Sequence, residues 1–414
     1  GSVAYITSDY NTGYMVGDIK LAALADTDDT DVVGSELVTN GTFDSDVSGW
    51  TLSEGDGTIA YSSGTAVVTY GSSATTFSQT FALVIGKVYT VGATLTGGTS
   101  SIRQFYYRDG SDASLVMQTN QGIPQSATFT ATTTSLQVKL RVASSGTGIY
   151  DNISVRLADT DRSVNANGLA VHGTITKSAV ATGADLVAYS GFSASNYLEQ
   201  PYNSDLDFGT GDFSYSFWSK HTGAGSTQDI YSRPNASSVN HFNIWRTTSS
   251  GTASIAVLVS GSAILSLAAL PTVWTLVTVV RRSGVVEAYY NDVLQGSIAN
   301  TTSIATTSAY STKVGYNCGA MTLALFRISA TAPTAEQIAK IYEDEKVLFQ
   351  ENAQATLYGT SDAVTALAHD DSTSLLHVGT SSGRSVFQGL RRVDNTTTAV
   401  GAAISASNGL VVED

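Results

Sequence analysis

The chain is predicted to be all-β: two β-sandwich domains on a small β-rich base formed by the N- and C-terminal segments. Three observations predict it. Of 414 residues only 14% are charged, 38 are Gly and 5 are Pro, a balance that strands and Gly/Ser/Asn turns produce and helices, with their Glu, Lys and Leu, do not. Short runs of alternating apolar and polar residues recur at regular spacing. The string Leu-Ala-Asp-Thr-Asp occurs twice, at Leu24–Asp28 and Leu157–Asp161, around a self-contained β-module. Such flanks mark an inserted domain, because exposed polar loops tolerate insertion; chance recurrence is the alternative. The expected division is 1–35, an N-terminal β segment; 36–158, a first module; 159–350, a second; and 351–414, a C-terminal β segment pairing with 1–35.

Charge narrows the partners. A net charge of −14 repels phosphate backbones, so nucleic acid is not expected. Arg281-Arg282 and Arg391-Arg392 are isolated pairs. The single cysteine, Cys318, excludes an intrachain disulfide, so the fold rests on its apolar cores. Ala263–Val280 is the most apolar stretch, but Pro271 and its β-branched alternation predict two strands and a turn, not a membrane insertion. Gly1-Ser2 in place of an initiating Met reads as a cloning remnant, so any native sequence upstream would be missing here.

The first module opens Glu-Leu-Val-Thr-Asn-Gly-Thr-Phe-Asp (Glu36–Asp44), then Ser48-Gly49-Trp50, and closes Tyr150-Asp151-Asn152-Ile153-Ser154-Val155. Strands are predicted at 65–70, 77–81, 88–95, 103–107, 127–130 and 136–142. The two ends resemble the galactose-binding-like jelly rolls of xylan- and glucan-binding carbohydrate-binding modules. That resemblance implies a structural Ca2+ held by Asp44 and Asp151; the alternative is that both acids serve turns. Trp50 is expected in the core. Sugar sites join an aromatic face to amide or guanidinium donors, which makes Tyr106 and Tyr107 beside Arg103 the carbohydrate-binding candidates, with Tyr61 and Tyr70 behind them. Adjacent strand residues point to opposite faces, so only one of Tyr106 and Tyr107 can be core.

The second module carries Tyr197-Leu198-Glu199-Gln200-Pro201, Asp205-Leu206-Asp207-Phe208-Gly209, Phe217-Trp218, Trp274–Arg281, Tyr289–Leu294 and Leu323–Ile328 in that order. Their order and spacing resemble the laminin-G/pentraxin-type branch of the concanavalin A-like lectin/glucanase superfamily, which implies a further sandwich. Tyr290-Asn291-Asp292-Val293 predicts a hairpin turn, and Thr334-Ala335-Glu336-Gln337 a capping box opening a helix with Ile338, Ile341 and Tyr342 on one face. The superfamily's glucanases carry Glu-x-Asp-x-x-Glu on one strand. No such string exists here, and Glu343-Asp344-Glu345 is expected to be a solvated helix face. In His241–Arg246, alternation places His241, Asn243 and Trp245 together, a candidate glycan platform; the alternative is that Trp245 packs under a loop or on a neighbouring domain. Trp218 and Trp274 sit in strand motifs that the superfamily buries, so the resemblance implies that both are core. Asp205, Asp207 and Asp212 are calcium candidates or turn caps.

The ends read as strands too, and Leu376–Val386 resembles one β-propeller blade. Asp9–Lys20 followed by a lectin-like module resembles structural or tail-associated bacteriophage proteins. The expectation is a non-catalytic carbohydrate-binding protein, virion-surface or extracellular, a homo-oligomer recognising polysaccharide. A spacer without glycan, or an accessory part of a larger enzyme, are the alternatives.

Overall fold

The structure, a computed structural model, describes residues 19–110, 112–118, 124–163, 165–223, 227–233, 242–249, 252–305, 310–353, 364–388, 391–398, 404–407 and 410–413. Among them the chain is all-β apart from one α-helix, Ala335–Glu345, and two 3-10 turns.

Alternation builds the first module. In Ser135–Val142 the apolar Leu136, Val138, Leu140 and Val142 are buried and the residues between them are not, so the strand has one core face and one outer face. A five-stranded sheet runs Thr51–Glu54, Thr75–Ala82, Ser135–Val142, Arg103–Asp109, Asp112–Gln118. A second sheet pairs Thr58–Ser62, Thr65–Thr69, Thr147–Asp159, Val88–Gly97 and Pro124–Thr130. Both contribute to one core that includes Phe43, Trp50, Phe105, Tyr107 and Tyr150. Burial raises the Tyr150 hydroxyl pKa, so it stays a donor, to the Arg141 carbonyl at 2.6 Å.

The second module is the larger sandwich. One sheet pairs Tyr197–Gln200, Thr312–Val314, Gln228–Arg233, Phe242–Ser249, Thr252–Val259 and Ser262–Ala269. The other pairs Met321–Ser329, Phe213–His221, Thr275–Arg282, Val285–Tyr290 and Val293–Ala299. Leu169–Ala179 serves both, pairing with Tyr197–Gln200 through its start and with Val187–Ser190 through its end. The predicted hairpin turns at Asn291, in the left-handed region (φ 57°). The helix has its capping box, Thr334 with Gln337, and buries Ile338 and Ile341.

The expected solvated face of Glu343-Asp344-Glu345 needs correction at its last residue. Glu345 turns inward, where both its oxygens meet Arg327 (2.5 and 2.9 Å) and one accepts from Trp218 Nε1 at 2.8 Å. Arg327 is buried in the adjoining strand, and a carboxylate there offsets the cost of burying its charge. Trp218 is core as expected, stacked on Phe349 at 4.2 Å. Trp274 packs beside it and donates to the Val180 carbonyl at 2.9 Å.

The expected pairing of 351–414 with 1–35 is not what the described residues of these ends show. Ile19–Ala23 pairs with Met321–Ser329, and Val32–Gly34 with Leu169–Ala179. Leu21, Ala23 and Leu24 are apolar and fully buried, which suits the large core better than a small exposed base. The C-terminal strands make their own antiparallel meander, Val364–Asp370, Leu375–Thr380, Gly383–Gln388 and Arg391–Thr396. Residues 1–18, including the phage-like string up to Asp18, lie outside the described residues.

The repeated string proves to be a junction. Asp159 accepts from the Leu24 amide at 3.1 Å and Asp161 from the Ala22 amide at 2.9 Å. Asp161 also holds the amides of Ser163 and Asn167, both at 2.9 Å. The chain therefore leaves and rejoins the second module at one place, as an insertion requires.

Removing the Glu345 carboxylate takes from buried Arg327 the counter-charge it touches. Glu345→Ala is expected to destabilise the second module by about 3–5 kcal/mol, while Glu343→Ala, at an exposed position, stays within about 0.5 kcal/mol. Urea unfolding followed by tryptophan fluorescence measures both. Equal, small losses would show that the inward ion pair does not support the helix.

Candidate functional site

The site follows from strand parity. In Tyr197–Gln200, Leu198 and Gln200 are buried while Tyr197 and Glu199 are half-buried on the outer face. Residues in register across neighbouring strands share a face. One outer row is therefore Glu199, Lys313, Ser232, Asn243 and Leu258. Two further pairs lie beside it, His172 with Tyr197 and Asp229 with Trp245, with a bulge between Asp229 and Tyr231.

Aromatic and charged groups interlock along these rows. His172 stacks on Tyr197 at 4.3 Å and 7°, and Tyr316 meets Tyr197 edge-on at 5.2 Å. Lys313 Nζ lies 4.9 Å from the Tyr197 ring and 4.6 Å from that of Tyr316, close enough for cation–π attraction. His172 Nε2 is 2.6 Å from Glu199 Oε2, and the Ser311 hydroxyl donates to the same carboxylate. Burial raises the Glu199 pKa, but the bonds from His172 and Ser311 outweigh it and hold the group below its ordinary value. Burial, followed by the Glu199 charge, pushes the Tyr197 hydroxyl up to about 12. Asp229 is pushed up to about 6 by burial, against the pull of Lys313. Beside this face a cleft of about 370 Å³ opens between the modules, lined by His172, Glu199 and Tyr202 on one side and Thr94, Asn152 and Arg156 on the other.

Each candidate from the sequence now has a place. Asn243 and Trp245 share the outer face, half-buried; with its amide oxygen towards the indole, Asn243 accepts from Trp245 Nε1 at 3.2 Å. His241 lies outside the described residues. Arg103 and Tyr107 are corrections, because they share the inward parity of Phe105. Tyr107 is buried and stacks on Phe129 at 4.8 Å, and Arg103 is buried with Nη1 donating to the Gly98 carbonyl at 2.6 Å. Neither is open enough to serve as a sugar platform. Tyr106 has the opposite parity and faces outward, with Lys139 Nζ 5.6 Å from its ring.

Asp44 and Asp151 lie close enough to interact. Burial, and then the Asp44 charge, raise the Asp151 pKa, while the Thr42 hydroxyl holds Asp44 at 3.1 Å. Repelling carboxylates at two chain ends suit a hard cation, but a full set would need carbonyl or water oxygens too. Among the described residues no three His, Cys, Asp or Glu side chains converge as a metal site. Two of the three rim acids are committed elsewhere: Asp207 pairs with buried Arg233 at 2.5 Å and Asp212 accepts from the Ser283 amide at 2.8 Å.

Tyr197, Glu199, Lys313, Tyr316 and Asp229 were not foreseen. The alternation Tyr197-Leu198-Glu199-Gln200 already separates a core Leu from an outward Tyr-Glu pair and was the available signal. Thr312–Val314 is only three residues long, too short for a periodic pattern to reveal Lys313.

Residues 192–339 match the family model Laminin_G_3, described as the concanavalin A-like lectin/glucanases superfamily. Comparison with curated proteins finds no match. Among solved structures, the binding domain of Paraclostridial Mosquitocidal Protein 1 is similar at 13% identity and TM-score 0.38, over 53% of this chain and 61% of that one. The receptor binding domain of botulinum neurotoxin C/D mosaic serotype gives 13% and 0.37, over 53% and 59%. The chain thus spans about three-fifths of the length of these two. Domain 4 of AbnA, a GH43 extracellular arabinanase from Geobacillus stearothermophilus, in complex with arabinotriose, gives 19% and 0.34, over 44% and 92%. Likenesses at these values bear on no residue of the site.

The Asp229 environment has a pH consequence. The folded state holds this proton up to about pH 6, whereas an unfolded Asp releases it near pH 3.9. Stability from the protonated form is thus fully present below about pH 4 and lost as pH rises through 6. Asp229→Asn, neutral throughout, is expected to raise the Tm above wild type at about pH 7.5 and to lose that advantage at about pH 4. A difference that does not change with pH would contradict the assigned environment.

Proposed function

We propose that this chain is a non-catalytic carbohydrate-binding protein recognising polysaccharide, with the outer face around Tyr197, Lys313 and Trp245 as its principal site. The observation carrying this reading is the partly exposed His172–Tyr197–Tyr316 aromatic group, ringed by Lys313, Asn243 and Glu199. Aromatic rings pack on the C–H face of a sugar, and the amide, ammonium and carboxylate take its hydroxyls. Tyr106, with Lys139 beside it, is the matching feature of the first module.

Two carboxylates occupy the principal face, which raises the question of hydrolysis. Glu199 and Asp229 sit on strands flanking Thr312–Val314, so their backbones are at least about 10 Å apart. Glu199 is also engaged by His172 and Ser311, which favours binding over catalysis.

A tail or receptor-binding role on a phage virion, or another extracellular setting, is the proposed context; the phage-like Asp9–Lys20 string and the low charge support it. Repetition in a homo-oligomer would raise weak sugar affinity. Ca2+ bound by Asp44 and Asp151 is proposed to staple the first module's opening loop to its closing strand.

A glycan array probed with the intact chain tests the reading. Trp245→Ala and Tyr197→Ala are each expected to weaken binding by this module at least about tenfold, the scale of one aromatic contact, with little loss of Tm. No retained glycan, with calcium present, would sink it in favour of a spacer role. For the metal, calcium is expected to raise the first module's Tm in wild type but not in Asp44→Asn or Asp151→Asn. An unchanged wild-type Tm would remove calcium from the account.

A further inference from the structure

The outer face of the first module's five-stranded sheet has an unusual charge. Register places Ser78, Lys139 and Tyr106 in one row, Thr76, Arg141 and Gln104 in a second, and Gln137 with Arg108 in a third. Each is polar or aromatic, and Gln104, Tyr106, Arg108, Gln137, Lys139 and Arg141 are half-buried. Three cations thus share one small face of a chain with a net charge of −14.

The cations are not equally satisfied. Arg141 meets Glu54 at 3.4 Å and Gln104 at 2.7 Å. Lys139 has the Tyr106 ring at 5.6 Å, and no carboxylate lies within ion-pair distance of it or of Arg108 among the described residues. Burial first, and then repulsion from Arg108, depress the Lys139 pKa. Two buried cations elsewhere carry a carboxylate partner, Arg233 with Asp207 and Arg327 with Glu345. A groove of about 600 Å³, lined by Thr51, Ser53, Ser78 and Gln137, continues the face.

We infer that this face binds an acidic polysaccharide, with Arg108 and Lys139 pairing successive anionic groups and Tyr106 stacking on the sugar between them. The inference rests on the reading that the modules bind glycans, and it names the ligand class for this one. A guanidinium offers paired donors to a carboxylate or sulfate. Gln104 and Gln137 supply the neutral contacts for hydroxyls. Selection against neutral glycans comes from Arg108 and Lys139, whose desolvation an anion offsets more fully than a hydroxyl does.

The experiment uses the intact chain with four probes: polygalacturonate, its fully methyl-esterified form, dextran sulfate and neutral dextran. Binding to polygalacturonate, to dextran sulfate or to both is expected, weakening as salt rises, with the two neutral polymers bound at least about tenfold less. The two acidic arms separate carboxylate from sulfate recognition. Arg108→Gln and Lys139→Gln should each lower affinity about tenfold or more; Tyr106→Ala should do likewise while Tyr106→Phe retains binding. Lys87→Gln, at an exposed lysine of the same module, should change nothing. Circular dichroism and Tm confirm that each variant folds. Binding confined to the neutral polymers, or acidic binding that survives the Arg108 and Lys139 changes, overturns the inference and leaves glycan binding standing. If none of the four is bound while the array above retains neutral glycans, the acidic assignment alone falls. If neither assay shows binding, both readings fall together.

Discussion

A strand packed against a core on one side has its other side fixed by geometry. Both modules are stacked sheets, so each core residue determines which neighbours face outward. Leu198 buried sends Tyr197 and Glu199 out; Phe105 and Tyr107 buried send Tyr106 and Arg108 out. A register slip of one residue would exchange the sets, and the buried Phe105, Tyr107, Val138 and Leu140 hold the first module's register against it. The outer faces are as well determined as the cores because they are the same strands seen from the other side.

That constraint explains what the sequence disclosed. The strands, the Asn291 turn and the Thr334 cap were legible because each follows from local periodicity or local hydrogen bonding, and the core Trp218 followed from the superfamily resemblance. The choice between Tyr106 and Tyr107 was posed correctly but not decided, since alternation gives two faces without saying which is the core. Arg103 was misplaced because its parity was not counted from Phe105. Glu345 was misread because its partners, Arg327 and Trp218, are 18 and 127 residues away. Lys313 and Tyr316 join Tyr197 through a three-residue strand, and a contact across more than a hundred residues leaves no local signature.

Charge is handled differently inside and outside. Lys177, nearly inaccessible, reaches Asp26 at 3.0 Å, and Arg281 spreads its donors over the carbonyls of Gly209, Gly211 and Thr302. These arrangements satisfy buried donors, and removing an acceptor from one would leave an unpaired group in a poorly solvated place. On the principal face Glu199 is likewise held by neighbours, whereas Asp229 is shifted mainly by burial. The two carboxylates therefore differ in kind: one is a fixed part of the sheet surface, the other a group whose charge depends on what lies over it.

The junction decides how the two faces relate. The strand Thr147–Asp159 belongs to the first module's sheet, yet its last residues pair with Leu169 and Ala170 of the second. Val32–Gly34 pairs with the same second-module strand, and Arg156 donates to the Gly34 carbonyl at 3.2 Å while pairing with Glu36 at 3.1 Å. The Asp159 and Asp161 carboxylates then tie the return of the chain to its point of departure. Two modules joined by a loose linker must lose orientational freedom when both engage one polymer. Here a shared strand and side-chain bonds on both connecting segments have already removed part of that freedom in folding. The repeated Leu-Ala-Asp-Thr-Asp string supplies that lock: the Asp residues of its second copy close on the backbone at and beside the start of its first.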